Sequence, residues 1–388
     1  MIKIGVLLQS EKNVGGIYQY CLSIIDGLEN LDSKKYDITF FYSERFWKNK
    51  IPKRHKKVFI KKIFLFKFLR KLVHFLLPFK ENWRILRNFI YEDVVAINNS
   101  DCDLIIFPSQ NRAGYMTKKK SITMVHDLMH RYERHFSDYK NGIYEMREKH
   151  YKLICKYSDH IVVDSQVGKK HVTESYKRKK NIFILPFTPP SYLYQKKSKK
   201  NLQVSLPKKF IFYPAQFWEH KNHVNLIKAF NLLEKDNINL NLVFCGAKKN
   251  YYEEVLKEVK KNKLEHRIRI LGRVSDESMR HIYKKSFATA FVSLLGPTNI
   301  PPLEAISLSS PLICSNVYGM KEQMQKSAIF VNPKKPIEIY RAIKKIYENK
   351  NFRKKLILRG TKLSKFKGQN YFNMNLIKIL DNVSINFL

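Results

Sequence analysis

Short apolar runs alternate with helical stretches along this chain, and that rhythm restricts its fold more than any other feature. In the first half the runs are Ile2–Leu8, Tyr36–Tyr42, Leu104–Phe107, Ile122–Val125, His160–Val163 and Ile182–Leu185. In the second they are Phe210–Tyr213, Leu240–Phe244, Ile268–Leu271, Ala288–Val292, Leu312–Ser315 and Ala328–Val331. They are rich in β-branched and aromatic residues and nearly continuous, as strands covered on both faces must be. The alternation predicts α/β architecture with parallel sheets. A chain of 388 residues exceeds one ordinary core, so two domains are expected. The stretch "PFTPPSYLYQKKSKKNLQVSLPKK" is rich in Pro, Lys and Ser and has no clear period, which predicts a linker over 191–207. Residues 1–190 and 208–368 then read as two Rossmann-like domains. A last helix, roughly Tyr371–Asp381, lies within 369–388 and no strand follows it.

Charge narrows the partners without choosing one. Lys and Arg number 73 against 33 Asp and Glu, a formal net charge of +40. Such a field attracts nucleic acid, anionic lipid or phosphorylated small molecules, although part of the excess reflects a generally Lys-, Asn- and Ile-rich composition. The five cysteines are scattered, with no CxxC, which predicts reduced thiols and a cytoplasmic setting and argues against a disulfide frame or zinc site. The opening "MIKIGVLLQSEKN" has too short an apolar run for a signal peptide and reads as a buried strand. No 18 consecutive residues are apolar, so no membrane-spanning helix is expected.

In two facing α/β domains, ligands gather at the carboxyl ends of strands, in the cleft between them. The loops after strands therefore matter most. Gly15 and Gly16 follow the first strand and open a helix, where a backbone can approach a phosphate or sugar. "MVHDL" sets His126 directly after a strand, able to donate to a sugar hydroxyl or phosphate. "FYPAQFWEHKNH" brings Gln216 and Lys221 after the first strand of the second half, and Lys221 is a flexible cation suited to a diphosphate. "DCD" at 101–103 stands before a strand, the wrong end for a ligand, and reads as a strand entry.

The stretch "LLGPTNIPPLEAISLSSPL" carries the strongest signal. Gly296 and Pro297 end a strand, and Thr298 or Asn299 is placed to cap the next helix. Pro301 and Pro302 suit its first turn, where no N–H partner is needed. Glu304 is expected in that first turn, its carboxylate offering an acceptor pair to hydroxyls such as those of a ribose, beside free N–H groups facing an anion.

"GPTNIPPLEAISLSSPLICSNVYGMKEQM" together with "FYPAQFWEHKNHVNLIKAF" resembles the donor half of family 4 glycosyltransferases of GT-B fold. "MVHDL", "DHIVVDSQVGKKHV" and "ILPFTPP" are similar to stretches of the same family's acceptor half, so the resemblance runs from Met1 to about Tyr347. It implies two Rossmann-like domains with the C-terminal helix crossing back to the first. It also implies transfer of a sugar from a nucleotide-diphosphate sugar with retention at the anomeric carbon and no tightly bound metal or other cofactor. By position, Lys221 matches the family's diphosphate-binding lysine, and Glu304 the second Glu of its Glu-x7-Glu motif, which holds the ribose. Thr298, Asn299 and Ile300 match the loop that touches donor phosphate and sugar, and Gly15, Gly16 and His126 the acceptor-side loops. Two positions depart from the pattern: Gly296 stands where the first Glu is usual, and Gln216 where an arginine is usual.

The acceptor is suggested by a different segment. On a helical wheel from Ile63, Lys67, Arg70 and Lys71 fall on one side, and Phe64, Phe68 and Leu72 among others spread over the opposite one. A basic amphipathic helix of this kind suits an anionic membrane surface. The expectation is a peripheral enzyme at the inner face of the cell membrane, extending a glycan or lipid-linked acceptor in surface polysaccharide or glycolipid synthesis. The competing readings are a basic nucleic-acid-binding protein, disfavoured by the absence of a recognisable binding module, and a sugar-nucleotide epimerase of similar architecture, whose motifs the Pro-Pro-Leu-Glu stretch does not resemble.

Overall fold

The computed structural model describes residues 1–11, 15–64, 66, 68–70, 90–194 and 204–384. Lys67, Lys71 and residues 195–203 of the expected linker lie outside the described residues. The chain forms two compact units, one of Met1–Leu128, Glu145–Pro186 and Gln369–Leu388, the other of Met129–Tyr144 and Phe187–Gly368.

The first unit is built on seven parallel strands: β1 (Ile2–Leu8), β2 (Tyr36–Tyr42), β3 (Lys56–Phe59), β4 (Leu104–Phe107), β5 (Lys120–Met124), β6 (His160–Val163) and β7 (Ile182–Ile184). Their order is β3-β2-β1-β4-β5-β6-β7. The second holds β8 (Phe210–Pro214), β9 (Asn241–Cys245), β10 (Ile268–Ile270), β11 (Ala288–Phe291), β12 (Leu312–Ser315) and β13 (Ala328–Val331). These six pair in the order β10-β9-β8-β11-β12-β13, again all parallel. The expected α/β class with two parallel sheets is what the chain adopts. Strand order reverses between β1 and β4 in one sheet and between β8 and β11 in the other. At each reversal the two connections leave on opposite faces, which opens a crevice at the carboxyl end.

β4, β6, β8, β11 and β12 are buried throughout, and β1, β5 and β9 beyond their first one or two residues. β3 had no counterpart in the sequence reading. Its Lys-Lys-Val-Phe sequence lies at a sheet edge with both ends exposed, so it lacks the apolar run that marks a covered strand. The helices Gly15–Glu29 and Gln369–Ser384 pack together in the first unit, where Gly27 leaves room for Leu376: a Cβ there would come within 2.7 Å of its Cδ2. Asp381 ends that contact by accepting from Tyr36 Oη at 2.8 Å and Lys35 Nζ at 3.1 Å. The "DCD" carboxylates serve the strand entry. Asp103 accepts from the Lys3 amide at 2.8 Å and Asp101 from its ammonium at 2.8 Å.

Candidate functional site

The reversal in the second sheet sets the loop after β8 beside the loop after β11. β8 ends at Pro214, and the chain turns through Gln216 into a short 3-10 helix, Glu219–Lys221. Asn222 follows in the left-handed region (φ 63°) and caps the helix His223–Lys235. Its amide donates to Val292 O at 2.9 Å and Pro333 O at 2.8 Å, which pins the turn to the ends of two other strands. Lys221 Nζ reaches Ser293 Oγ, just past β11, at 3.4 Å and lies 5.4 Å from the centre of the Phe291 ring. Its own carbonyl accepts from Tyr213 Oη. Gln216, in the position where an arginine was usual, gives its side-chain oxygen to the Trp218 indole N–H at 3.0 Å.

On the other wall, Gly296 has φ +110°, which an L side chain rarely adopts, and a Cβ there would stand 2.6 Å from Asn299 Nδ2. A glutamate at this position would therefore be strained and would displace the Asn299 side chain. Thr298 and Ile300 are buried. Asn299 holds the N-cap position of the helix Ile300–Ser307 without a side-chain cap bond. Instead Gln323 brackets its peptide: the Asn299 N–H donates to Gln323 Oε1 at 3.0 Å, and Gln323 Nε2 donates to Asn299 O at 2.8 Å.

Two expectations are corrected here. Glu304 is the fifth residue of this helix, and no acidic residue lies in the first turn. It is 8% exposed, and its two oxygens accept from Tyr192 Oη at 2.9 Å and Tyr283 Oη at 2.7 Å. Burial raises its carboxyl above the usual range, against the two tyrosine hydrogen bonds, which lower it. Nor does the helix present a row of free amides. Two of its first three residues, Pro301 and Pro302, carry no N–H, and the Asn299 N–H is already engaged. Lys221 is thus the main fixed positive charge among the residues the sequence singled out on this edge.

Tyr192, Tyr283 and Gln323 were not foreseen. They reach the site from distant parts of the chain, and no local pattern marks them. Ser293 was open to detection, since it directly follows a strand.

In the first unit, Gly15 has φ +65° and opens the helix Gly15–Glu29 with Gly16 behind it. His126, just past β5, lies 3.0 Å from Pro108 O through Nε2, with its ring edge-on to Tyr20 at 4.8 Å. A carbonyl only accepts, so Nε2 carries the proton. Burial lowers the imidazole's pKa, which favours the neutral ring. Its single N–H is thus already committed. That corrects the expectation of a donor to substrate. The neighbouring Asp127 accepts from Arg147 Nη2 at 3.0 Å. Arg70 is not presented as a membrane-facing cation. It pairs with Glu92 at 2.7 Å, donates to Ile90 O at 3.1 Å and lies over the Tyr91 ring. Among the described residues of that region, the exposed apolar side chains include Ile63, Phe64, at 85%, and Phe68, at 61%. Among the described residues no helix is long and apolar enough to cross a membrane.

Residues 194–363, which carry Lys221, Gly296 and Glu304, match the family described as "Glycosyl transferases group 1". The chain is 26% identical over 197 residues to the O-antigen chain mannosyltransferase RfbU of Salmonella typhimurium, a match covering 50% of this chain and 53% of that one. It is also 26% identical over 125 residues to the O-antigen chain mannosyltransferase B of Escherichia coli, covering 32% and 33%. The chain thus spans about half the length, or less, of the curated relatives it matches. Among solved structures, sucrose-phosphate synthase from Thermosynechococcus elongatus superposes with a TM-score of 0.71 at 15% identity over the whole of both chains. HepE of Anabaena, in complex with UDP and glucose, superposes with a TM-score of 0.71 at 16% identity over 98% of this chain and all of that one. The fold is thus shared along the chain, while the family match is confined to the unit that bears Lys221 and Glu304.

Proposed function

We propose that this protein transfers a hexose from a nucleoside-diphosphate sugar, with retention at the anomeric carbon, to a glycan or lipid-linked acceptor in surface polysaccharide or glycolipid synthesis. The observation that carries the reading is Lys221, held between β8 and β11 at the strand-order reversal, where doubly wound sheets bind phosphorylated ligands. The relatives named as O-antigen chain mannosyltransferases support the reaction class. HepE with UDP and glucose supports a nucleotide-sugar donor.

In this reading the bond from the anomeric carbon to the diphosphate breaks, and negative charge grows on the leaving oxygens. The Lys221 ammonium is there to meet it. Gln216, Gly296, Thr298, Asn299 and Ile300 shape the wall for sugar and phosphate, with Gly296 admitting the backbone closely. Glu304 keeps one lone pair on each oxygen beyond its tyrosine bonds, and a ribose hydroxyl would bind through these. Gly15, Gly16 and His126 serve the acceptor side. The acceptor surface is membrane-facing through Ile63, Phe64 and Phe68, beside the exposed Lys61 and Lys62. That would hold the enzyme peripherally at the inner face of the cell membrane.

Thermal stabilisation by UDP, GDP, dTDP and CMP tests the donor site. A ligand that binds only the folded state must raise its melting temperature. One nucleoside diphosphate should stabilise the wild type, and the shift should shrink in Lys221→Ala. No shift with any of them at millimolar concentration would overturn the reading.

A further inference from the structure

The segment Met129–Tyr144 lies in the chain between β5 and β6 of the first sheet, yet it belongs to the second unit. Its contacts there fall on the loops after four adjacent strands, β9, β8, β11 and β12. Asn250, past β9, donates to Ser137 Oγ at 3.1 Å. Past β8, Glu219 Oε2 accepts from both the Ser137 amide, at 2.9 Å, and its hydroxyl, at 2.5 Å. His220 Nδ1 lies 3.0 Å from Asp138 Oδ2, a pair of which 17% and 10% of the side chains are exposed. Past β11, Leu295 packs with Phe136 and Met129 in a small apolar cluster that Leu294 and Tyr318 complete. Past β12, Tyr318 Oη donates to Glu133 Oε1.

These contacts converge on one short turn. Glu219 and His220 are the two residues before Lys221, and the three together form the 3-10 helix. The His220 carbonyl in turn accepts from the Leu294 amide at 2.8 Å. Asn222 fixes the far side of Lys221 to Val292 and Pro333. Without the segment, the near side of the lysine would keep its backbone ties from Leu294 and Ser293 to the His220 carbonyl, but the Glu219 and His220 side chains would lose Ser137 and Asp138.

We propose that Met129–Tyr144 is a positioning strap for donor binding, in which Ser137 and Asp138 hold Glu219 and His220 and so set the backbone from which Lys221 reaches the diphosphate. The inference rests on the reading of Lys221 given above. A long, flexible lysine gains from a fixed stem, since ordering it on binding costs affinity. Ser137 and Asp138 act through that turn and are positioning residues, not catalytic ones.

The test compares affinity for UDP with UMP, and for GDP with GMP, in wild type, Lys221→Ala, and the double variant Ser137→Pro/Asp138→Asn. Proline removes the amide and hydroxyl donors of Ser137 together. Phe136, at φ −66° and ψ 145°, already has the conformation that precedes proline. Asp138→Asn alone keeps the side-chain shape and replaces the double variant if that one does not fold. The strap predicts that diphosphate preference falls about tenfold in the double variant while monophosphate affinity holds, the size expected from losing one well-placed charged contact. It also predicts faster amide exchange over residues 219–222. A variant that only lowers the melting temperature, with preference and exchange unchanged, overturns the strap. Loss of preference in Lys221→Ala but not in the strap variants also overturns it and leaves the lysine's role standing. A preference that survives Lys221→Ala removes the lysine's role, and the strap's purpose with it.

Discussion

Glu304 sits in an environment that disfavours its charge. It is buried, and only the hydroxyls of Tyr192 and Tyr283 offset the loss of water. Its pKa is raised above 4.5 by that burial. An acid with a raised folded-state pKa contributes most to stability below its ordinary value and loses that contribution as pH rises through the raised one. Glu304→Gln has no such titration. The melting-temperature difference, variant minus wild type, should therefore move in the variant's favour between pH 4 and pH 8, measured by calorimetry. Glu304→Ala should cost about 2–4 kcal/mol, because it removes the acceptor of the buried Tyr192 hydroxyl, leaves Tyr283 its longer bond to Pro301 O and opens a cavity. The importance of Glu304 was legible from its place after Gly-Pro-Thr-Asn and the paired prolines. Its partners were not, because hydrogen bonds spanning 112 and 21 residues leave no mark on local pattern. The commitment of the His126 N–H to Pro108 was hidden for the same reason.

Elements were more legible than side-chain partners. Buried parallel strands must be nearly continuous apolar runs, so twelve of them stood out, and Ile2–Leu8, Tyr36–Tyr42, Leu104–Phe107, His160–Val163, Leu312–Ser315 and Ala328–Val331 have the expected bounds. The edge strand β3 did not stand out, because one covered face does not require such a run. Close backbone approach is likewise invisible in sequence. Gly246, just past β9, lies so near the loop after β8 that a Cβ would stand 2.2 Å from the Ala215 carbonyl oxygen. Backbone cannot swing away as a side chain can. Gly246→Ala should destabilise by about 1–3 kcal/mol and, by moving the Gln216 loop, weaken nucleoside diphosphate binding. Urea unfolding and titration with UDP and GDP check the two effects.

For the whole molecule, the net charge of +40 and the exposed phenylalanines argue for the same partner. Phe64 and Phe68 would offer apolar area to a bilayer, and the exposed Lys61 beside them would favour anionic headgroups, whereas Lys62 pairs with Glu44 at 2.9 Å. Sedimentation with vesicles of phosphatidylglycerol should show binding that weakens on going from 0.05 to about 0.5 M salt, as screening shortens the field. Phe64→Ser/Phe68→Ser should weaken it further. Arg70→Gln should change it little, because that guanidinium is paired with Glu92. Of the three cations expected to face the membrane, Lys67 and Lys71 lie outside the described residues, and only the fold distinguishes a paired Arg70 from a presented one.

The central claim is sugar transfer from a nucleotide donor with Lys221 meeting the leaving diphosphate. Its most direct measurement is release of nucleoside diphosphate from UDP- and GDP-linked hexoses, with a lipid-linked glycan extract as acceptor and the anomeric configuration of the product read by NMR. The account predicts acceptor-dependent release from one donor class, a product that keeps the donor's configuration, and a rate about a hundredfold lower in Lys221→Ala. A product of inverted configuration, or a Lys221→Ala variant as fast as the wild type, would contradict it.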